Sequence, residues 1–164
     1  MKRLNFGCGT DIRLGWHNVD IIKDKRLTKS FDFNKFPYPL KKDFYDYVFI
    51  NAVIDCVDSP FKVLRELIKH CKNGAIIEIY CSYWNCKGAF NTLHHQRGFS
   101  EECFSYNLDA SGFGQSKHSY LKTKLIELVP TKIGKMVPAF SRKFLSKILC
   151  GIIGQLHVKL EVTK

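Results

Sequence analysis

The apolar positions of this 164-residue chain fall into short runs whose period switches between two and 3.6 residues. Arg3 to Phe6 reads as a brief strand, residues 18–22 as a second and residues 30–33 as a third. Residues 45–50, YDYVFI, form a fourth, rich in aromatic and β-branched side chains. Phe61, Leu64, Leu67, Ile68 and Cys71 then recur at helical spacing, with Asp58 or Ser59 as cap and Pro60 in the first turn. Lys69, His70 and Lys72 crowd the end of that helix, where its dipole favours positive charge, and Asn73-Gly74 is the expected stop. Residues 75–81, AIIEIYC, are a nearly continuous apolar strand, as at the centre of a parallel sheet. Strand, helix and strand in this order predict an α/β fold with right-handed crossovers.

The second half is less regular. Residues 82–119 mix glycines, histidines and scattered aromatics, with a short helix expected over 100–108 from the Ser100 cap and Glu101-Glu102 in its first turn. Residues 120–129 read as a strand and 141–153 as a basic amphipathic helix. The apolar stripe of that helix, Phe144, Leu145, Ile148, Leu149 and Ile152, is expected to pack on the sheet; the competing use of such a stripe is an anionic membrane surface. Residues 157–162 alternate cleanly and predict a final, half-exposed strand. The pattern contains no internal repeat, and residues 1–164 read as a single domain with 82–119 as an insertion on the substrate side.

Composition changes the picture in two ways. The net charge is +11, and residues 110–164 carry ten Lys or Arg against only Glu127 and Glu161, a local net of +8. Such a basic end suits nucleic acid, an anionic surface or an acidic substrate, or simply a solvated face. Seven cysteines lack any CxxC pairing, and Cys71, Cys81 and Cys150 fall in apolar runs, which predicts reduced, core-type thiols and a cytoplasmic protein. No secretory pattern opens the chain, and no run is apolar enough to predict a membrane span.

The most informative stretch is Leu4-Asn5-Phe6-Gly7-Cys8-Gly9, followed by a second strand that reaches Asp20. Glycines let backbone approach a ligand, and an acid at the end of the next strand is where nucleotide-binding sheets grip a ribose. A dinucleotide fingerprint would need a third glycine, but Thr10, Asp11 and Ile12 follow, and no P-loop sequence occurs. Only seven residues, Thr10 to Trp16, separate Gly9 from His17, too few for a crossover helix. The next connection is equally short, so the first half of the sheet must be covered by loops, by 82–119 or by another subunit. A phosphate-free nucleoside fits these features better. Its amino-acid tail would meet backbone around Phe6, Gly7, Cys8 and Gly9, and its ribose hydroxyls Asp20, with Ile21 beside it. Asp32 would accept from an adenine amine while Phe33 packs on the ring.

Together LNFGCG, GWHNVDI, FDFNKFPYPL, YDYVFINAVIDCVDSPFKVLRELIKHCKNGAIIEI and HHQRGFSEECF resemble the class I S-adenosylmethionine-dependent methyltransferases, in particular their small type-11-like branch. The resemblance covers residues 3–106 and extends to the C-terminal strand pair. It implies a Rossmann-like fold with a mostly parallel sheet and an antiparallel C-terminal strand. It also implies S-adenosyl-L-methionine as cofactor, with contacts at Gly7, Cys8, Gly9, Asp20, Asp32, Phe33 and Asn51. Two departures stand out. Asp55-Cys56 replaces the Glu-His usual in relatives, and neither the helix that lids the cofactor nor a full first crossover helix is expected here.

Methyl transfer needs the acceptor aligned and water excluded, and a general base only where a hydroxyl or amine must lose a proton. His94 and His95 are the candidates, since they follow the strand end where open α/β sheets bind ligands; their alternative role is to tie down the loop. Tyr83, Trp84 and Phe90 are candidates for the acceptor wall or its packing. Cys56 is read as a structural thiol rather than a nucleophile. Asn51-Ala52-Val53-Ile54 stands where an N-P-P-aromatic signature would mark an adenine or glutamine amino-methylating enzyme, and adjacent histidines suit one metal ion poorly. The expected function is therefore methyl transfer to a small molecule or sugar-like hydroxyl. The rivals are a nucleic-acid methyltransferase using the basic end and a non-catalytic binding module. The stripped sheet is also compatible with a homodimer.

Overall fold

Fully buried and less buried side chains alternate through the central strands, so one face of the sheet is apolar. A computed structural model of the protein describes residues 1–105 and 120–164. Its strands are β1 (Arg3–Phe6), β2 (His17–Asp20), β3 (Lys29–Ser30), β4 (Tyr45–Asn51), β5 (Cys71–Ser82), β6 (Leu121–Pro130) and β7 (Ile153–Val162). They form one seven-stranded sheet in the order β3-β2-β1-β4-β5-β7-β6. β7 runs antiparallel to both its neighbours, and the strands from β3 to β5 are mutually parallel. The last strand is therefore interior rather than an edge. The apolar face carries Leu4, Phe6, Val48, Ile50, Ile77, Ile79 and Val158, all fully buried.

The helix α1 (Pro60–His70) packs its Val63, Leu64 and Leu67 into this core. The Ser59 side chain accepts from the Lys62 N–H at 3.4 Å, and Pro60 occupies the first turn, as expected. The helix ends at His70, three residues before Asn73. Phe44 and Asp43 N–H groups bond the carbonyls of His70 and Lys69, and Tyr45 pairs with Cys71, so the chain passes from helix directly into β5. Gly74, at φ +76°, takes up the register shift between Tyr45 and Tyr47 instead.

Glu66 of α1 is buried and joins this helix to the 31–44 loop. It accepts from the Tyr38 N–H at 3.1 Å and the Lys69 ammonium at 2.7 Å, with the His70 ring 3.4 Å away. Burial pushes its pKa up, but these partners outweigh that and hold it below the ordinary carboxylate value. The stabilisation is therefore present above the unfolded value near 4.5 and is lost as pH falls through the lower folded value. Glu66→Ala is expected to destabilise the protein by about 2–3 kcal/mol at pH 7, because the Tyr38 N–H loses its acceptor. The difference from wild type should shrink in denaturant titrations below pH 4.

Three further elements depart from the sequence pattern. Strand β2 stops at Asp20, and β3 covers only Lys29–Ser30 rather than 30–33. Phe31 and Phe33 instead join Phe6 and Tyr38 in an aromatic cluster under β1, with Phe33 stacked on Phe6 at 3.9 Å. The helix expected over 100–108 is α2 (Glu102–Ser105); residues 106–119 lie outside the described residues. The region expected as helix 141–153 begins within α4 (Ala139–Leu145), preceded by α3 (Lys132–Met136), and runs on as turns. Its stripe does not pack on the sheet: Phe144, Ile148 and Leu149 are exposed, Leu145 is half-buried and only Ile152 enters the core. Cys150 is exposed as well, unlike Cys71 and Cys81, and all seven cysteines are free thiols.

No helix separates β1 from β2 or β2 from β3. Two buried asparagines hold the first of these loops in place of a helix. Asn5 donates to the Asp11 carbonyl at 2.6 Å and to Asn18 Oδ1 at 3.1 Å. Asn18 in turn donates to the carbonyls of Arg13 and Trp16 at 2.9 and 3.3 Å, and accepts from the Arg13 N–H at 3.0 Å. Both side-chain amide nitrogens and the Asn18 Oδ1 are thereby used.

Candidate functional site

The carboxyl ends of β1, β2 and β4 open onto a cleft of about 570 Å³. Open α/β sheets bind ligands at this edge, where connections diverge on either side of the first strand. Gly7, Gly9, Asp20, Ile21, Asp32 and Phe33 line one side. Ala52, Val53, Cys56 and Val57 from the β4–α1 connection form another, and Leu93, His94 and Gln96 stand at its rim.

The glycine turn is shaped by β2. The N–H groups of Gly7 and Cys8 both donate to the Val19 carbonyl, at 2.9 and 3.1 Å, and Gly9 donates to Asp20 Oδ2 at 2.7 Å. Gly7 and Gly9 have φ of +73° and +50°, the region that glycine enters without penalty. Their surroundings differ. A Cβ on Gly7 would lie 2.2 Å from Val53 Cγ2, whereas nothing comes within 4 Å of a Cβ on Gly9. Gly7 seals the floor against Val53, and Gly9 leaves backbone open toward the cleft.

Asp20 is buried at the end of β2 and holds two N–H groups, Gly9 on Oδ2 and Ile22 on Oδ1 at 3.2 Å. Each carboxylate oxygen accepts two hydrogen bonds, so one position on each is left for a ligand hydroxyl. Asp32 is half-buried, and its Oδ1 accepts from the Asn34 N–H at 2.9 Å. The structure thus brings together Gly7, Gly9, Asp20, Ile21, Asp32, Phe33 and His94 from among the residues singled out in the sequence. It does not bring the others to the cleft wall. Phe6 is fully buried against Phe33, Cys8 is buried in the turn, and Asn51 is exposed at the end of β4, where Ala52 lines the cleft instead. Asn34, Val53, Val57 and Gln96 were not legible as lining residues, since each joins the cleft through a loop path that spacing does not encode.

The two histidines are separated by their partners. The His95 ring, through Nδ1, meets the Gly88 carbonyl at 2.9 Å and clamps the loop. His94 lies on the cleft wall and, among the described residues, has no hydrogen-bond or ionic partner. The segment that carries both is pinned to the β4–α1 connection. Asp55 Oδ1 accepts from the Ser82 N–H at 2.9 Å, the Asp55 carbonyl accepts from the Gln96 N–H at 2.8 Å, and Gln96 Nε2 donates to the Cys56 carbonyl.

Asp55 is completely buried and, among the described residues, its Oδ2 has no hydrogen-bond partner. Burial pushes its pKa above the ordinary 3.8, against the pull of the Ser82 N–H. Native-state stability from this group is therefore full below pH 3.8 and falls as pH rises toward the folded value. Asp55→Asn keeps an acceptor for Ser82 and removes the charge. Its stability relative to wild type is expected to rise with pH across that window, then level off, in melts from pH 3 to 8. Cys56 lines the cleft, but burial and the neighbouring Asp55 raise its thiol pKa, which keeps it protonated and unsuited to attack. Among the described residues no three His, Cys, Asp or Glu side chains converge to hold a metal ion.

Solved structures match the fold over 98–99% of the chain. Neither a family model nor a curated protein sequence matches. In fold, however, the protein is similar to a SAM-dependent methyltransferase from Archaeoglobus fulgidus, with TM-score 0.65 and 15% identity over 98% of this chain and 86% of that one. It is also similar to a Haloferax volcanii protein solved in complex with the Trm112 methyltransferase activator, with TM-score 0.62 and 12% identity over 99% and 83% of the two chains. The protein has the class I methyltransferase fold. A third structure similar to it is the (4+2)-cyclase SpnF, with TM-score 0.65 and 10% identity over 99% of this chain and 75% of that one. One methyltransferase-type fold thus carries more than one chemistry, and the reaction must be argued from the site. No helix of the described residues is long and apolar enough to cross a membrane.

Proposed function

We propose that the protein binds S-adenosyl-L-methionine in the cleft at the ends of β1, β2 and β4 and transfers its methyl group to a small molecule or sugar-like hydroxyl. The observation that carries this reading is the pairing of the open Gly9 backbone with Asp20, whose two oxygens each keep a free acceptor position. The cleft volume lies in the range of about 300–1,000 Å³ that accommodates small-molecule ligands. When bound, the cofactor supplies an electrophilic methyl group on a sulfonium, so the protein has little covalent work to do.

The roles of the chain's own residues follow from their positions. Gly7 and Gly9 admit the amino-acid tail beside the backbone. Asp20 orients the ribose through its hydroxyls, and Asp32 accepts from the adenine amine beside the Phe33 ring. Leu93 and Gln96 narrow the mouth and exclude water. His94, which has no hydrogen-bond or ionic partner among the described residues, takes the proton from an acceptor hydroxyl, while His95 holds the loop that presents it. Aligning acceptor and methyl group supplies most of the rate.

The test is titration calorimetry of the wild-type chain with S-adenosylmethionine and S-adenosylhomocysteine, followed by a tritiated-methyl transfer assay on hydroxylated small molecules and on RNA. Binding of both nucleosides is expected, and the proposal fails if neither binds at millimolar concentration. Transfer to RNA alone would favour the nucleic-acid reading. Binding with no transfer to any acceptor would favour a non-catalytic module.

A further inference from the structure

The segment between β6 and β7 holds a run of apolar side chains outside the core. Ile133, Met136, Phe140 and Phe144 recur three and four residues apart and are 67%, 85%, 91% and 65% exposed. Ile148 and Leu149 continue the run at 65% and 50%. Single exposed apolar residues need no explanation, but six in one short segment do. The same segment carries Lys132, Lys135, Arg142, Lys143 and Lys147, and no acid occurs between Glu127 and Glu161. Glu101 approaches Lys143 at 3.7 Å, and the Arg142 guanidinium donates to the carbonyls of Val137 and Lys135.

Helices of five and seven residues do not persist alone in water. This pair is held by the sheet. Thr131 caps α3 through the Gly134 N–H at 2.9 Å, and a Cβ on Gly134 would lie 1.8 Å from the Ile152 carbonyl oxygen. Asn85, just past β5, donates to the Ser146 carbonyl at 2.8 Å, and the Tyr83 hydroxyl lies 3.4 Å from Ser146 Oγ. Tertiary contacts therefore fix an apolar surface in an outward position. Because β7 is antiparallel to β5, this segment leaves the sheet at the carboxyl edge of the parallel strands, the edge that also carries the cleft.

We propose that residues 132–149 form a docking face for an anionic lipid bilayer. The aromatic and aliphatic side chains enter the headgroup boundary while the lysines meet anionic headgroups, the division of labour of an interfacial amphipathic segment. Charge complementarity selects this occupant. A second copy of the chain would set five cations against five, and a polyanion without an apolar layer would leave the phenylalanines in water. The docking face stands on its own observations and does not depend on the cofactor reading.

The experiment is co-sedimentation of the full chain with phosphatidylcholine vesicles, with and without about one-third phosphatidylglycerol. Sedimentation with the anionic vesicles is expected, together with a fluorescence shift from Trp84, which is 44% exposed beside Asn85. The double variant Phe140→Glu/Phe144→Glu should bind about tenfold more weakly or worse, and Lys132→Gln, Lys135→Gln and Lys147→Gln each about fivefold more weakly. All five positions are exposed, so an unchanged melting temperature certifies the fold. Absence of sedimentation with anionic vesicles at low salt overturns the proposal, as does sedimentation insensitive to the phenylalanine pair. So does retention on heparin or RNA that the phenylalanine variant leaves intact, or a dimer in size-exclusion chromatography that this variant dissolves. The readout contains no nucleoside, so its failure is distinct from failure of methyl transfer.

Discussion

Gly7→Ala is expected to lower stability by about 3 kcal/mol and to abolish nucleoside binding. The new Cβ would sit 2.2 Å from Val53 Cγ2 and 3.1 Å from Cγ1, well inside contact distance. Neither partner can yield cheaply. The Gly7 N–H is bonded to the Val19 carbonyl at 2.9 Å, and Val53 is buried where the chain turns from β4 toward α1. The residue must also hold φ +73°, which costs an alanine roughly 1–2 kcal/mol before any collision. For a chain of this length the sum corresponds to a fall in Tm of about 10 °C. Gly9→Ala separates the two causes. It meets no atom within 4 Å and bears only the backbone penalty, so about 1–2 kcal/mol should be lost. Ligand affinity should nevertheless fall sharply, because the added methyl occupies the open side of the turn. Equal melting temperatures for Gly7→Ala and wild type would falsify the packing account.

Asp20→Ala is expected to weaken binding of S-adenosylhomocysteine by about 100-fold or more, measured by calorimetry. Two charge-assisted hydrogen bonds to ribose hydroxyls are each worth roughly 1.5–3 kcal/mol. The same substitution removes the acceptor for the Gly9 and Ile22 N–H groups, and should lower stability by about 1–2 kcal/mol. Asp20→Asn distinguishes these contributions, since its carbonyl still accepts from Gly9 but offers the ribose a donor in place of an acceptor. Because its amide nitrogen then faces the Ile22 N–H, stability between those of wild type and Asp20→Ala, with binding still reduced at least tenfold, is the expected pattern. Affinity within about threefold of wild type in Asp20→Ala would remove the carboxylate from the ribose site.

The parts of the fold legible in the sequence are those decided by local pattern. YDYVFI, the Ser59-Pro60 start of α1 and AIIEIYC each form the expected element, because period, cap and apolar run agree. The misread parts are decided by distant contacts. Phe31 and Phe33 look like strand residues, yet the space under Phe6 and Tyr38 takes their rings and ends β3 after two residues. The basic amphipathic stretch reads as one helix packed on the sheet. Asn85, from 61 residues earlier, instead draws the Ser146 carbonyl aside, and the chain past Leu145 becomes a series of turns.

The candidate site divides along the same line. Gly7, Gly9 and Asp20 stand at or just past the ends of β1 and β2, so strand prediction carries their position with it, whereas Asp32 and Phe33 follow a β3 that ends sooner than the pattern suggests. Which of two adjacent histidines faces the cleft is settled by the Gly88 carbonyl, and no spacing rule contains that information. The helix-free first connection is legible in the seven residues between Gly9 and His17, but the bond that holds it, from Asn5 to the Asp11 carbonyl, is not. A buried amide in an otherwise apolar strand asks for a partner, and the loop of residues 10–16 supplies it.

The interior place of β7 has a consequence for how the chain assembles. Strand β6 leaves the ribosome before β7, yet among the described strands it pairs with β7 alone. Until residues 153–162 emerge, β5 presents an unpaired edge and β6 has no partner, with the exposed phenylalanines of α4 between them. Such contacts between distant parts of a chain form late and slowly. An incomplete chain of this design therefore combines an open strand edge with an apolar surface, the pairing most prone to aggregate. Synthesis to the end of β7 is the step that commits the protein to its native sheet.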